Sequence, residues 1–121
     1  MVDFGTRWDP LPFHTDAQLA AGTPVGGLIA SGVHTMAIFQ RLAATTVWSR
    51  CALVIGRSFR MRLYAPVRPD TTLHGQLQWK RVSEAAHGRS GIDFLGQLTD
   101  QEGAVVFEVD GDVVMARRNA G

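Results

Sequence analysis

The chain has 121 residues, 45% of them hydrophobic and 19% charged, with a formal net charge of +1. That balance describes one globular domain over 1–121, large enough to bury a core without staples, and it excludes a disordered chain. A charge so near zero gives no reason to expect nucleic acid or an acidic membrane surface as a partner.

Cys51 is the single cysteine, so no intramolecular disulfide can form and a reducing compartment is the natural reading. Met1-Val2-Asp3-Phe4-Gly5 lacks the basic and apolar regions of a signal peptide, and no apolar run approaches the length of a membrane span. Both point to the cytoplasm.

In chain order, the stretch Arg7-Trp8-Asp9-Pro10-Leu11-Pro12-Phe13-His14-Thr15-Asp16 comes first. Two prolines fix φ and remove backbone donors, which predicts a stiff non-helical turn holding Asp9 and His14 at a set distance. A fixed carboxylate and imidazole can grip one water and move its protons. The plainer alternative is a turn-forming aspartate beside a structural histidine. Asp16 reads as the N-cap of a short helix over Ala17–Ala21 that Gly22 ends, rather than as a catalyst.

A long helix is predicted over about Ser31–Thr45. Leu28, Ile29, Val33, Met36, Ile38, Phe39 and Leu42 leave it almost no polar face, so it reads as buried all round. Strands follow. Leu53-Val54-Ile55 opens the set, Ser58–Tyr64 alternates with period two, and 73–82 alternates with Leu73, Leu77 and Trp79 on one face. Ser90–Leu98 and Ala104–Val109 read as a hairpin joined by Asp100-Gln101-Glu102-Gly103. Val113–Ala116 closes the set before a basic Arg117-Arg118. One apolar helix followed by antiparallel strands predicts an α+β architecture, a curved antiparallel sheet wrapped around a central helix, as in the hotdog fold. Trp79 and Phe94 read as core or dimer-interface residues. His74, His87 and Cys51 have no metal-ligand spacing, so no metal is expected.

Three blocks then carry a resemblance over about Phe4–Arg118. They are Asp9–Asp16, Gly26-Gly27-Leu28-Ile29-Ala30-Ser31-Gly32-Val33-His34-Thr35, and Ala65-Pro66-Val67-Arg68-Pro69-Asp70-Thr71-Thr72-Leu73. The chain resembles the MaoC-like dehydratases, which include the R-specific enoyl-CoA hydratases. The resemblance implies a hotdog domain, usually a homodimer, that reversibly hydrates a trans-2-enoyl thioester. The substrate would be carried on coenzyme A or acyl carrier protein, with no separate cofactor. It places the family's aspartate and histidine on Asp9 and His14, and the amide that polarises the thioester carbonyl on Gly32. Ser31 and His34 flank that amide as candidate substrate contacts. For Gly32 the alternative is tight helix packing, and for His34 a ring satisfied by a backbone carbonyl.

Arg57, Arg60, Arg62 and Arg68 cluster around one strand, with Arg60 and Arg62 sharing a face. They suit the phosphates of coenzyme A, or form a solvated sheet face. The chain departs from the pattern in carrying Leu11 where such hydratases often have Asn or Gln. Its Asp/His turn also arrives without the strand and loop that usually precede it.

Two other readings stand beside hydration. Hotdog thioesterases commonly place an acidic residue on the central helix, and 28–46 contains neither Asp nor Glu. A non-catalytic module that binds acyl thioesters or a partner chain is the other, since an open sheet edge invites strand pairing.

Overall fold

Ser31 opens the long helix, and the reason is local: its side-chain oxygen accepts a hydrogen bond from the Val33 amide at 3.2 Å. The computed structural model describes residues 1–116; the pair Arg117-Arg118 lies outside the described residues. The helices are α1 (Val2–Trp8), α2 (Pro12–Thr15), α3 (Ala17–Ala21) and α4 (Gly32–Thr46). The strands are β1 (Leu53–Leu63), β2 (His74–Ala85), β3 (Arg89–Thr99) and β4 (Val105–Ala116). All pair antiparallel in one sheet of order β1-β4-β3-β2.

The two short helices after residue 8 differ in how legible they were. α3 has the bounds and cap that its residues predict, with Asp16 Oδ1 accepting from the Gln18 and Leu19 amides at 2.9 and 3.1 Å. The stretch around Asp9 and His14 does not match the expected non-helical turn. Arg7 and Trp8 end α1, and Pro12–Thr15 is itself a helical turn. Pro12 sits in the first turn of that helix, where its missing N–H is not needed and its fixed φ is already helical. Pro10 lies outside both helices.

Val113–Ala116 is not a separate strand but the end of β4, which runs without a break through Asp110-Gly111-Asp112. The Asp100–Gly103 turn joins β3 to β4 as expected. Asp100 Oδ1 accepts from the Glu102 and Ala104 amides, and Gly103 takes φ +84°.

The core lies between α4 and the sheet. Phe39 on α4 packs its ring against Phe107 on β4, with centroids 5.9 Å apart. A side chain at Gly96 on β3 would strike the Phe39 ring, so glycine there lets the helix lie directly on the sheet. Phe39, Phe94, Phe107, Leu98 and Val109 are all buried to 2% exposure or less. Burying each such side chain contributes roughly 1.5–3 kcal/mol. Trp79 is half exposed and meets the buried Trp48 edge-on.

The helix itself is not buried all round. Within it only Thr35, Phe39 and Ala43 are buried, and Val33 is 55% exposed. The sheet covers one side of α4, so an apolar composition on every side leaves part of the helix facing outward. The apolar β1 residues Phe59, Met61 and Leu63 are also half exposed.

Candidate functional site

Three short segments meet at the start of α4. The first is the end of α1, where Asp9 is the C-cap and its amide donates to the Gly5 carbonyl at 2.8 Å. The second is α2, which carries His14. The third is the extended chain 28–31 leading into α4. It is pinned on one side by the Ile29 amide donating to the Phe13 carbonyl at 2.9 Å. On the other side the Ala30 amide donates to the Val67 carbonyl at 2.8 Å.

This arrangement orients His14. Its Nδ1 lies 2.8 Å from the Ile29 carbonyl oxygen, which can only accept, so Nδ1 carries the proton and donates. The ring is 5% exposed, with Phe13 edge-on at 4.5 Å. In the neutral ring Nε2 is therefore an acceptor, and it faces Asp9 Oδ2 at 3.4 Å. That separation is longer than a good N–H···O bond. At 3.4 Å the two acceptors leave no room between them, but a water set to one side of the pair can give one O–H to each.

Asp9 is held in turn by Ser31, whose hydroxyl donates to Oδ2 at 2.7 Å. One side chain thus caps α4 and fixes the carboxylate, using its single donor and one of its lone pairs. Hydrogen bonds to a charged group are worth roughly 1.5–3 kcal/mol.

A cavity of about 270 Å³ lies on the His14 side of this pair, and Asp9 does not line it. His14 and Gly32 line it together with Thr35, Leu63 and Val67. Gly32 is the first residue of α4, and amides in a helix's first turn lack intrahelical acceptors and favour negative charge. The structure thus brings Asp9, His14, Ser31 and Gly32 to one place.

His34 and the arginines are placed elsewhere. His34 does not line this cavity and, among the described residues, reaches no backbone carbonyl. Its ring stacks on Phe4 of α1 at 4.4 Å with 13° between planes, and its Nδ1 is buried without a hydrogen-bond partner among the described residues. Helical geometry explains this: two positions beyond Gly32 the side chain leaves from a different side of α4.

Arg60 and Arg62 stand on the face of β1 opposite Met61 and Leu63, the pair that reaches Gly32. Arg60 lies in a groove with Lys80, Arg81, Asp93 and Asp110, and Arg62 sits 5.9 Å over the Tyr64 ring. Arg57 pairs with Asp112 at 2.9 Å and Arg68 donates to the Val25 carbonyl. The four arginines are dispersed over separate contacts and do not gather at the cavity. Among the described residues no group of three or more His, Cys, Asp or Glu is arranged to hold a metal ion. No helix of the described residues is long and apolar enough to cross a membrane.

Burial, and secondarily the nearby Met1 ammonium, holds the His34 pKa below its usual 6.5. The folded state therefore resists protonation that the unfolded chain accepts. Stability is full above about pH 6.5 and falls as pH drops below it toward the lowered folded value. Melting from pH 7.5 to 5.5 is expected to show this acid-side loss. Part of it should vanish in His34→Phe, which keeps the stack on Phe4 and has nothing to protonate. Parallel curves for the two proteins would contradict the assignment.

Two contributors were not found from the sequence. The Ile29 carbonyl carries no signal, because any residue there offers one. Gly5 backs His14: a Cβ on it would meet the His14 backbone oxygen and stand 2.9 Å from His14 Cβ.

A family model described as MaoC like domain matches residues 1–93. A MaoC-like dehydratase from Rhodospirillum rubrum is 30% identical, with a TM-score of 0.88 over 97% of this chain and 82% of that one. A structure from Archaeoglobus fulgidus described as a monoamine oxidase regulatory protein is 17% identical, with a TM-score of 0.86 over 96% and 78%. The R-hydratase PhaJ1 of Pseudomonas aeruginosa is 21% identical, with a TM-score of 0.74 over 95% and 71%. The last two likenesses bear on the fold alone. No curated protein sequence matches the chain.

Proposed function

The chain belongs to the MaoC-like dehydratase family, and on that premise we propose that it reversibly hydrates a trans-2-enoyl thioester to the 3-hydroxyacyl thioester. The observation that carries the reading is the pair of facing acceptors, His14 Nε2 and Asp9 Oδ2, 3.4 Å apart beside the start of α4. In the hydration direction a water held by both gives up one proton to one of them. Its oxygen bonds to C3 of the enoyl group. The displaced π electrons move through C2 to the thioester oxygen, and C2 then takes a proton, so one water is added in all. The Gly32 amide, at the helix start, is the donor for the charge that develops on that oxygen. One such donor is worth roughly 3 kcal/mol of barrier. Ser31 keeps the carboxylate aimed.

The carrier is coenzyme A or acyl carrier protein, and the chemistry uses no cofactor beyond it. The half-exposed apolar residues of β1 support a second copy of the chain as a partner.

The test is spectroscopic. With crotonyl-CoA and longer trans-2-enoyl-CoA substrates, loss of the conjugated enoyl absorbance is expected, and the reverse on adding the 3R-hydroxyacyl product. A thiol-release assay on the same samples should stay flat. Release of free thiol without enoyl loss would replace hydration by thioester hydrolysis. Binding without either would leave a non-catalytic module.

A further inference from the structure

We infer that Arg68 is a positioning residue for His14, acting through the segment that leads into α4, an inference that rests on the hydration reading above. The argument starts from what holds the Ile29 backbone. Its carbonyl receives His14 Nδ1 at 2.8 Å, and its amide grips α2 at the Phe13 carbonyl. The imidazole is therefore only as well placed as Ile29.

Just upstream of Ile29 the chain holds itself weakly. Gly26 and Gly27 are adjacent, with φ of +72° and +154°, and glycine pairs of this kind make a hinge. Among the described residues, Gly27 and Leu28 make no backbone hydrogen bond. Beyond Ile29, the Ala30 amide anchors the segment on the Val67 carbonyl. The next residue, Arg68, supplies the second tie on the other side of the hinge. Its guanidinium donates to the Val25 carbonyl and lies against Gly27, where a Cβ would stand 3.2 Å from Nη1. Glycine at 27 thus leaves room for the guanidinium to reach across. The base of this clamp is itself firm. Val67 is 5% exposed, prolines at 66 and 69 fix φ on both sides, and the Thr71 hydroxyl donates to the Arg68 carbonyl at 2.8 Å. Val67 and Arg68 together hold both ends of the segment that presents the Ile29 carbonyl.

The experiment compares wild type, Arg68→Met and Arg68→Lys by two readouts. Methionine keeps the apolar stem over Gly27 and removes the donors, whereas lysine restores one donor to the Val25 carbonyl. The first readout is steady-state hydration of crotonyl-CoA. Arg68→Met is expected to lower kcat by roughly tenfold with KM near wild type, less than the hundredfold or so that a fixed misplacement of about 1 Å costs, because the Ala30 tie remains. Arg68→Lys should recover most of the loss. The second readout needs no turnover. Nitrogen-15 spectra of the imidazole rings, with His14 assigned by its absence in His14→Asn, should show the proton on Nδ1 in wild type. In Arg68→Met they should show a mixture of the two tautomers. A variant that loses only melting temperature, with kcat and ring signals unchanged, overturns the inference and leaves Arg68 structural. A rise in KM alone would make Arg68 a contact of the thioester's carrier and overturns it too, as does a fall in kcat with unchanged ring signals. Should wild type hydrate nothing while the ring signals still shift in Arg68→Met, hydration falls and the positioning of His14 by Arg68 stands.

Discussion

Asp9→Asn and His14→Asn are each expected to slow enoyl hydration by roughly a thousandfold, and the double variant by no more than either alone. The size follows from what a positioned acid or base contributes, about 10²–10⁴ in rate. The choice of substitutions separates chemistry from folding. The amide introduced by Asp9→Asn keeps a side-chain oxygen for the Ser31 hydroxyl, so the cap on α4 and its link to α1 persist. The amide introduced by His14→Asn keeps a donor at the Nδ1 position for the Ile29 carbonyl that now receives His14 Nδ1. Melting temperatures near that of wild type are therefore expected alongside the rate losses. The double variant carries the sharper claim. If both groups hold the same water, removing either dissolves the arrangement and the second loss adds nothing. Rate losses that multiply would show two independent contributions and dismantle the shared-water geometry. Single variants that hydrate as fast as wild type would remove both residues from the mechanism.

Much of this site was legible because its parts are local. Asp16 and Gly22 bracket five residues, and the chain folds there as those residues dictate. Asp9, Pro12 and His14 are close enough in sequence for covalent geometry alone to bring them near one another. The limits of sequence reading are equally physical. Ser31 reaches Asp9 across 22 positions, and nothing in either neighbourhood announces that bond. The long helix was identified from its apolar residues, but composition cannot say on which side a sheet lies, so its half-open surface was missed. Period-two alternation did separate Arg60 and Arg62 from Met61 and Leu63. It left undecided which pair faces the helix, and packing of Leu63 onto Gly32 decides it. Helix α1 was not foreseen at all. Gly5 stands in its middle and Met1 offers no side-chain cap, so intrinsic propensity argues against it. Tertiary contact makes it a helix: Phe4 lies on His34, and Gly5 lies on His14.

That last contact yields the second large effect, because it opposes two terms of known size. Gly5→Ala should favour an isolated helix by roughly 1 kcal/mol. In place, the new methyl would meet the His14 backbone oxygen, and backbone cannot swing aside as a side-chain tip can. Overpacking of this kind costs roughly 1–3 kcal/mol, so a net loss of stability is expected, read as a melting temperature lower by a few degrees. Relief comes most easily by lifting α1 off α2. Asp9 caps α1 and His14 sits in α2, so that movement widens the 3.4 Å gap between them. A displacement of about 1 Å at a reacting pair can cost on the order of a hundredfold in rate. Gly22→Ala is the matched control. Gly22 lies at φ −84°, and a Cβ there would find only the Leu19 carbonyl at 3.6 Å. It should leave rate and melting temperature near those of wild type. Equal behaviour of the two alanine variants would mean that α1 does not aim Asp9, and the carboxylate's position would then rest on Ser31 alone.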